Sequence, residues 1–425
     1  MNTFAHTLLT PDRWPAFARG MLAYGSAEAA TRVVRLVAIL IVARQISPVM
    51  LGTAALALSL FELIRVLTNV GIGQRIIVAS DDELESICRA ASRLFGIVCI
   101  GVMLIQWGVS VIAYQAFDLG EAALMLAVLS LVYPMMPAGL VQIFLAMRAQ
   151  RMSATARVVA AQNIADSILT IALAILWPSA WAIVLPKLLT APVWLVLARR
   201  TYQWAPDRSV SGASTKAFAV FGPAILGSAL LDATRLNADK LLVGALLGTE
   251  ALGLYYFAFN AGLGITQSLV SACNLVLFPH LAKISGSAIE YEFRRAFIGG
   301  LAVLTPIVAA QTLLAPIYVP ILFGENWNAS TPYLVLLAFA ALPLFAGSML
   351  GARYRAVNKP YAETMLMAGA TFAGLIGLTW GAQFSLEMAC IGFSSGLAII
   401  LIPAAIAQLI AAKTTLYTKL KGEHS

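Results

Sequence analysis

The sequence predicts an all-α, polytopic membrane protein of about twelve transmembrane helices, arranged as two six-helix lobes with both termini on the cytoplasmic side. Three observations predict it. The 425-residue chain is 60% hydrophobic and 11% charged, far below the roughly 25% charged residues of soluble domains. Its apolar stretches recur at the length needed to span a bilayer, about 20 residues of helix. Its basic residues collect in every second connection.

The spans are expected near residues 17–43, 52–74, 94–116, 122–147, 155–177, 181–203, 217–243, 251–277, 297–322, 331–352, 362–383 and 388–410. Gly, Ser and Pro inside them do not disqualify them, because neighbouring helices re-satisfy any freed backbone group. The first stretch carries Arg32 and Arg35 where the apolar core of a cleavable signal would be clean, so it is expected to stay in the mature protein. Cys88, Cys99, Cys273 and Cys390 are isolated and imply no disulfide framework.

Orientation follows from the Lys and Arg content of the short connections. Twenty-one of the 28 basic residues lie in the N-terminal stretch, the even-numbered connections and the C-terminal tail, against Arg44 and Lys240 on the other face. The net charge of +8 is therefore accounted for by the positive-inside bias and calls for no nucleic acid.

The longest non-apolar stretch near the middle, Gln203 to Lys216, divides six spans from six. This gives an N-terminal lobe 1–203, a linker 204–216, a C-terminal lobe 217–410 and a cytoplasmic tail 411–425. The halves resemble each other. Leu51-Gly52-Thr53 corresponds to Leu252-Gly253-Leu254 at an offset of 201 residues, Phe117 to Phe323, and Pro134 to Pro343. Two parallel repeats facing each other would enclose a central cavity that opens alternately to either side.

Charges inside the spans are concentrated in the first half and the seventh span. Glu28, Arg32 and Arg35 follow at steps of four and three, so a helix presents them on one face. Ionised groups at bilayer depth cost about 2.5–3.5 kcal/mol each on insertion scales and usually turn to a bundle interior or wet cavity. Two readings stand for Glu28 and Arg32, a structural ion pair or part of a transport path. Glu62 with Arg65 and Asp232 with Arg235 are spaced for local pairing, which leaves Arg35 and Lys187 as a positive excess in the first lobe. Such an excess suits a phosphate-bearing substrate, since guanidinium clamps phosphate oxygens bidentately. Candidate substrate contacts are thus Arg32, Arg35, Arg65, Lys187 and Arg235. Glu28, Glu62, Asp166 and Asp232 are candidates for carrying a coupled proton or sodium ion.

Motifs point the same way. Arg44-Gln45-Ile46-Ser47-Pro48-Val49-Met50-Leu51-Gly52 resembles the turn after the first helix of bacterial polysaccharide-export flippases, departing at Met50-Leu51, where an aromatic is usual. The run Asn237-Ala238-Asp239-Lys240-Leu241-Leu242-Val243-Gly244, then Gly248-Thr249-Glu250-Ala251-Leu252-Gly253-Leu254-Tyr255, is a closer match, and Phe278-Pro279 and Phe323-Gly324-Glu325-Asn326-Trp327 fit as well. The chain thus resembles the polysaccharide transporter family, the repeat-unit flippases of the multidrug, oligosaccharidyl-lipid and polysaccharide exporter superfamily. The resemblance implies residence in the bacterial inner membrane and transfer of an undecaprenyl-pyrophosphate-linked oligosaccharide between leaflets. It also implies a polysaccharide polymerase and a chain-length regulator as partners. Membrane lipids are expected as partners and no cofactor is.

Enzyme chemistry has little support. Gly392-Phe393-Ser394-Ser395-Gly396 fits a nucleophile-elbow pattern, but such an elbow needs a strand-to-helix turn and a His partner. The same residues form a Gly-x-x-x-Gly packing face, as do Gly347 with Gly351 and Gly377 with Gly381. There is no Walker A sequence. A multidrug antiporter of the same superfamily, expected to have an acidic cavity, is the nearest rival. A polymerase or ligase, expected to have a large outer loop, is a second.

Overall fold

The computed structural model describes Thr31 and residues 33–206, 222–264 and 288–422, with isolated residues between 209 and 218 and between 266 and 284; side chains beyond residue 411 and that of Ala224 are not described. Every regular element among the described residues is helical. Nine of the described helices are long and apolar enough to cross a membrane, or ten when one bent pair is counted as a span, so the protein is a multi-pass membrane protein.

The first half contains α1 (33–45), α2 (Pro48–Arg65), α3 (Ile72–Val78), α4 (Leu84–Phe117), α5 (Gly120–Leu129), α6 (Pro137–Arg148), α7 (Met152–Leu176), α8 (Trp181–Leu189) and α9 (Ala191–Thr201). The second contains α10 (Gly222–Ala258), α11 (Ala288–Phe323), α12 (Thr331–Phe339), α13 (Ala341–Ala356), α14 (Pro360–Gly381) and α15 (Leu386–Gly422). The described residues divide into two compact units, one holding those up to Ile46 with Leu60–Ala233, the other Ser47–Ser59 with those from Thr234 onward.

Several predicted spans are broken, each for a local reason. In the 122–147 stretch, α5 tightens into a 3₁₀ segment, Ser130–Met135, around Pro134, and α6 leaves at 57°. Proline supplies no N–H and its ring crowds the preceding turn. The polar side chains of α4 support the broken stretch. Gln106 donates to the Leu126 carbonyl at 2.6 Å and accepts from the Tyr133 hydroxyl at 2.7 Å. The 331–352 stretch is likewise interrupted at Ala340, before Pro343. Residues 225–263 run as one element except at Gly248, whose φ of +87° ends one helix and starts the next. An L side chain rarely adopts that conformation, so glycine makes this turn. The helix from Ala288 continues unbroken to Phe323 despite Pro306, Pro316 and Pro320.

The small-residue faces pack as spaced. A Cβ on Gly377 would overlap the Gly392 carbonyl, and one on Gly396 would overlap the Ala373 carbonyl, so α14 and α15 touch backbone to backbone.

Within the second unit, a Cβ on Gly52 would strike the Thr249 carbonyl, and one on Gly253 the Pro48 carbonyl. Pro48 and Thr249, like Gly52 and Gly253, are 201 residues apart. The contact is thus reciprocal under the repeat offset, as in a two-fold interface where residue i meets j and j meets i. Because the obstruction is backbone, no rotamer change relieves it. Gly253→Val is expected to cost about 1–3 kcal/mol or more, read as a lower thermal unfolding midpoint in detergent. Gly101→Ala, whose Cβ meets nothing within 4 Å, serves as the neutral control.

Candidate functional site

The first unit contains a cavity of about 380 Å³ at which four of the predicted charged residues converge: Glu62, Arg65, Asp166 and Lys187. They come from three helical stretches. Glu62 and Arg65 occupy the last turn of α2, which is closed by a 3₁₀ segment, Val66–Thr68, with the Thr68 hydroxyl donating to the Arg65 carbonyl at 2.8 Å. The backbone then opens at Asn69–Gly71 before α3 begins, and this non-helical stretch forms part of the cavity wall. Irregular backbone within a membrane protein is tolerated where it is buried in protein or lines a wet cavity. Asp166 projects from α7. Lys187 follows Pro186 in α8, just ahead of the break at Thr190, whose hydroxyl donates to the Pro186 carbonyl at 2.7 Å.

The charges are paired two by two. Arg65 Nε lies 3.1 Å from Glu62 Oε2, and both side chains keep more than a third of their surface exposed. Lys187 Nζ donates to Asp166 Oδ2 at 2.9 Å. Asp166 Oδ1 is buried and, among the described residues, has no hydrogen-bond partner. A buried acceptor left unfilled costs about 1–3 kcal/mol, so this oxygen is a place where a donor from a ligand is stabilised.

The Lys187–Asp166 pair corrects the expected positive excess. Lys187 is not a surplus cation: the two cations lining the cavity are matched by two carboxylates. The sequence missed this because the partners lie 21 residues apart on different helices. Of the other predicted contacts, Arg35 is exposed on α1. Glu28 and Arg32 fall outside the described residues. Asp232 is exposed on α10 in the first unit and does not line the cavity, and Arg235, partly buried, belongs to the second unit.

Uncharged polar residues complete the lining: Asn69, Gln74, Gln162, Asn163 and Thr190, with Phe61 and Trp194 as aromatic walls. Charge alone does not reveal them. The available signal was spacing, since Gln162 and Asn163 precede Asp166 by four and three residues and share its helix face.

A second charged group, in the second unit, is of a different kind. Asp239 and Lys240 are almost wholly buried. Lys240 Nζ reaches Asp239 Oδ1 at 3.1 Å and the Leu236 carbonyl at 2.6 Å, and lies 3.9 Å from the centre of the Phe259 ring. The Tyr255 hydroxyl donates to Asp239 Oδ2 at 2.9 Å. This closed network ties the two helical segments on either side of Gly248 together.

Comparison with known proteins fits this architecture. Solved structures similar to the chain include the lipid II flippase MurJ in an inward closed conformation, with a TM-score of 0.73 at 10% identity over 92% of this chain and 87% of that one. An inward-facing multidrug resistance MATE family transporter of the MOP superfamily matches with a TM-score of 0.68 at 16% identity, covering 91% and 95%. The fold is that of these transporters. The lipopolysaccharide biosynthesis protein WzxC of Escherichia coli (strain K12) is 24% identical over 369 residues, covering 81% of this chain and 73% of WzxC. Residues 41–332, more than half of the chain, match the family described as "Polysaccharide biosynthesis protein". With the transporter fold and the charged cavity of its first unit in view, that match places the chain in the polysaccharide biosynthesis protein family.

Proposed function

We propose that the protein is a flippase that moves an undecaprenyl-pyrophosphate-linked oligosaccharide across the bacterial inner membrane for polysaccharide assembly, by alternating access and with both termini cytoplasmic. The observation that carries the substrate assignment is the cavity in which Arg65 and Lys187 are held by exchangeable, partly exposed carboxylates. Pyrophosphate oxygens are better partners for these cations than single carboxylates, because they offer more acceptors and more charge. Arg65 takes the head group bidentately and Lys187 as a point charge. Arg32, Arg35 and Arg235 remain candidate contacts for other parts of the transport path.

The pairing supplies a coupling step. When the pyrophosphate takes Arg65 and Lys187, Glu62 and Asp166 lose their counter-ions in a partly desolvated cavity, which is costly for a carboxylate. A proton taken up by Asp166, whose Oδ1 has no partner among the described residues, offsets one of the two displaced carboxylate charges, and Glu62, which is partly exposed, keeps its charge toward water. Its release on the far side returns Asp166 to Lys187 and expels the head group. The polar wall of Asn69, Gln162 and Asn163 and the indole of Trp194 are suited to sugar hydroxyls and ring faces.

Membership of the family and the kinship with WzxC and MurJ support the flippase reading over the antiporter. The short connections Asp118–Leu119, 177–180, Gly324 and 382–385 offer no large catalytic loop and argue against a polymerase or ligase. The test is transfer of a labelled undecaprenyl-pyrophosphate oligosaccharide across proteoliposomes, with and without a proton or sodium gradient. Transfer that is accelerated by a proton gradient, and loses that acceleration in Asp166→Asn, is the expected result. Drug-driven ion exchange without glycolipid transfer would establish the antiporter instead.

A further inference from the structure

The second unit holds a larger hollow of about 620 Å³ lined by Val270, Cys273, Leu277 and His280 together with residues of α11 and α13. Its walls are apolar, with Val270, Leu277, Leu304, Phe345 and Met349 among them, and the titratable side chains lining it, among the described residues, are His280, Glu292 and Arg295. His280 and Glu292 face each other at 3.4 Å, and Arg295 is exposed. The neighbouring acid Glu290 is engaged elsewhere, with its Oε2 3.1 Å from Arg353 Nε. Gly299 and Gly300 form part of the wall. A Cβ on Gly300 would press on the Phe345 ring, whereas one on Gly299 meets nothing within 4 Å and points into open space.

We infer that this groove binds one acyl chain of an anionic phospholipid, with the lipid phosphate held at Arg295. A hollow that is apolar along its walls and charged through one small group of side chains matches an amphiphile with a single charged end. Glu292 faces His280 at 3.4 Å, and the exposed Arg295 supplies the cation that meets a phosphate. Lys and Arg accumulate on this side of the sequence, and basic pockets between helices on the cytoplasmic side are where anionic head groups bind. The lipid is a resident of the leaflet, distinct from the transported glycolipid, and it braces α11 against α13.

Cys273 lines the groove and is the one partly accessible cysteine; Cys88, Cys99 and Cys390 are buried. It therefore reports occupancy. The full chain is placed in vesicles of phosphatidylcholine alone or with phosphatidylglycerol, and N-ethylmaleimide labelling of Cys273 is followed by peptide mass spectrometry. Phosphatidylglycerol is expected to slow labelling about tenfold, the equivalent of one charge-assisted contact. Arg295→Gln is expected to abolish the difference between the two vesicles. Gly299→Leu, which fills the groove with the protein's own side chain, is expected to give slow labelling in both. Equal rates for the wild type in both lipids, or slowing that survives Arg295→Gln, would overturn the inference. Slowing by undecaprenyl phosphate but not by phosphatidylglycerol would also overturn it, by assigning the groove to the transported lipid.

Discussion

Lys187→Gln and Arg65→Gln are each expected to lower glycolipid transfer by about ten- to a hundredfold, since a charge-assisted hydrogen bond contributes roughly 1.5–3 kcal/mol. The two differ in what accompanies the loss. Arg65 pairs with Glu62 in its own helix and both are well exposed, so removing the guanidinium leaves the fold nearly unchanged. Lys187 joins α8 to α7 through Asp166, which is 17% exposed, and its loss strands that carboxylate. The double variant Asp166→Asn/Lys187→Gln is expected to regain thermal stability over Lys187→Gln without regaining transfer. That separation distinguishes a head-group contact from a structural pair. Wild-type transfer in both single variants, with normal insertion, would remove Arg65 and Lys187 from the substrate path.

Lys240→Met is expected to be the most destabilising single change in the second unit, at about 3–5 kcal/mol, because removing one member of a buried pair leaves an uncompensated charge. Asp239 is 1% exposed and, among the described residues, retains only the Tyr255 hydroxyl once the ammonium is gone. Asp239→Asn/Lys240→Met is expected to recover most of the loss, as buried pairs are often replaceable together. Tyr255→Phe is expected to cost about 0.5–1.5 kcal/mol, the value of an ordinary net hydrogen bond. Thermal unfolding in detergent measures all three, and the difference between the singles and the double gives the coupling directly. A Lys240→Met protein as stable as wild type would mean that Asp239 is reached by water.

Some of this was legible in the chain and some was not. The Glu62–Arg65 pair follows from a three-residue spacing on one helix, and the contact between α14 and α15 from glycines four apart. The turn at Gly248 lies between two expected spans. The balanced charge of the cavity was not legible, nor was the role of Asn69, Gln162 and Asn163 in lining it. The groove beside Gly299 has no sequence signature, because its walls come from helices separated by tens of residues.

By itself the sequence determined that the protein is helical and lies in a membrane, and it set the expectation that the basic residues face one side. Those properties arise from hydrophobic length, local periodicity and the cost of moving charge across a bilayer, and each is written into short stretches of chain. The tertiary structure alone decided that Lys187 answers Asp166 rather than standing as free positive charge, and that Gly52 meets Gly253 across the repeat. Side chains on different helices acquire partners only when packing sets their distance, and Coulombic pairing and steric fit depend on that distance rather than on order along the chain.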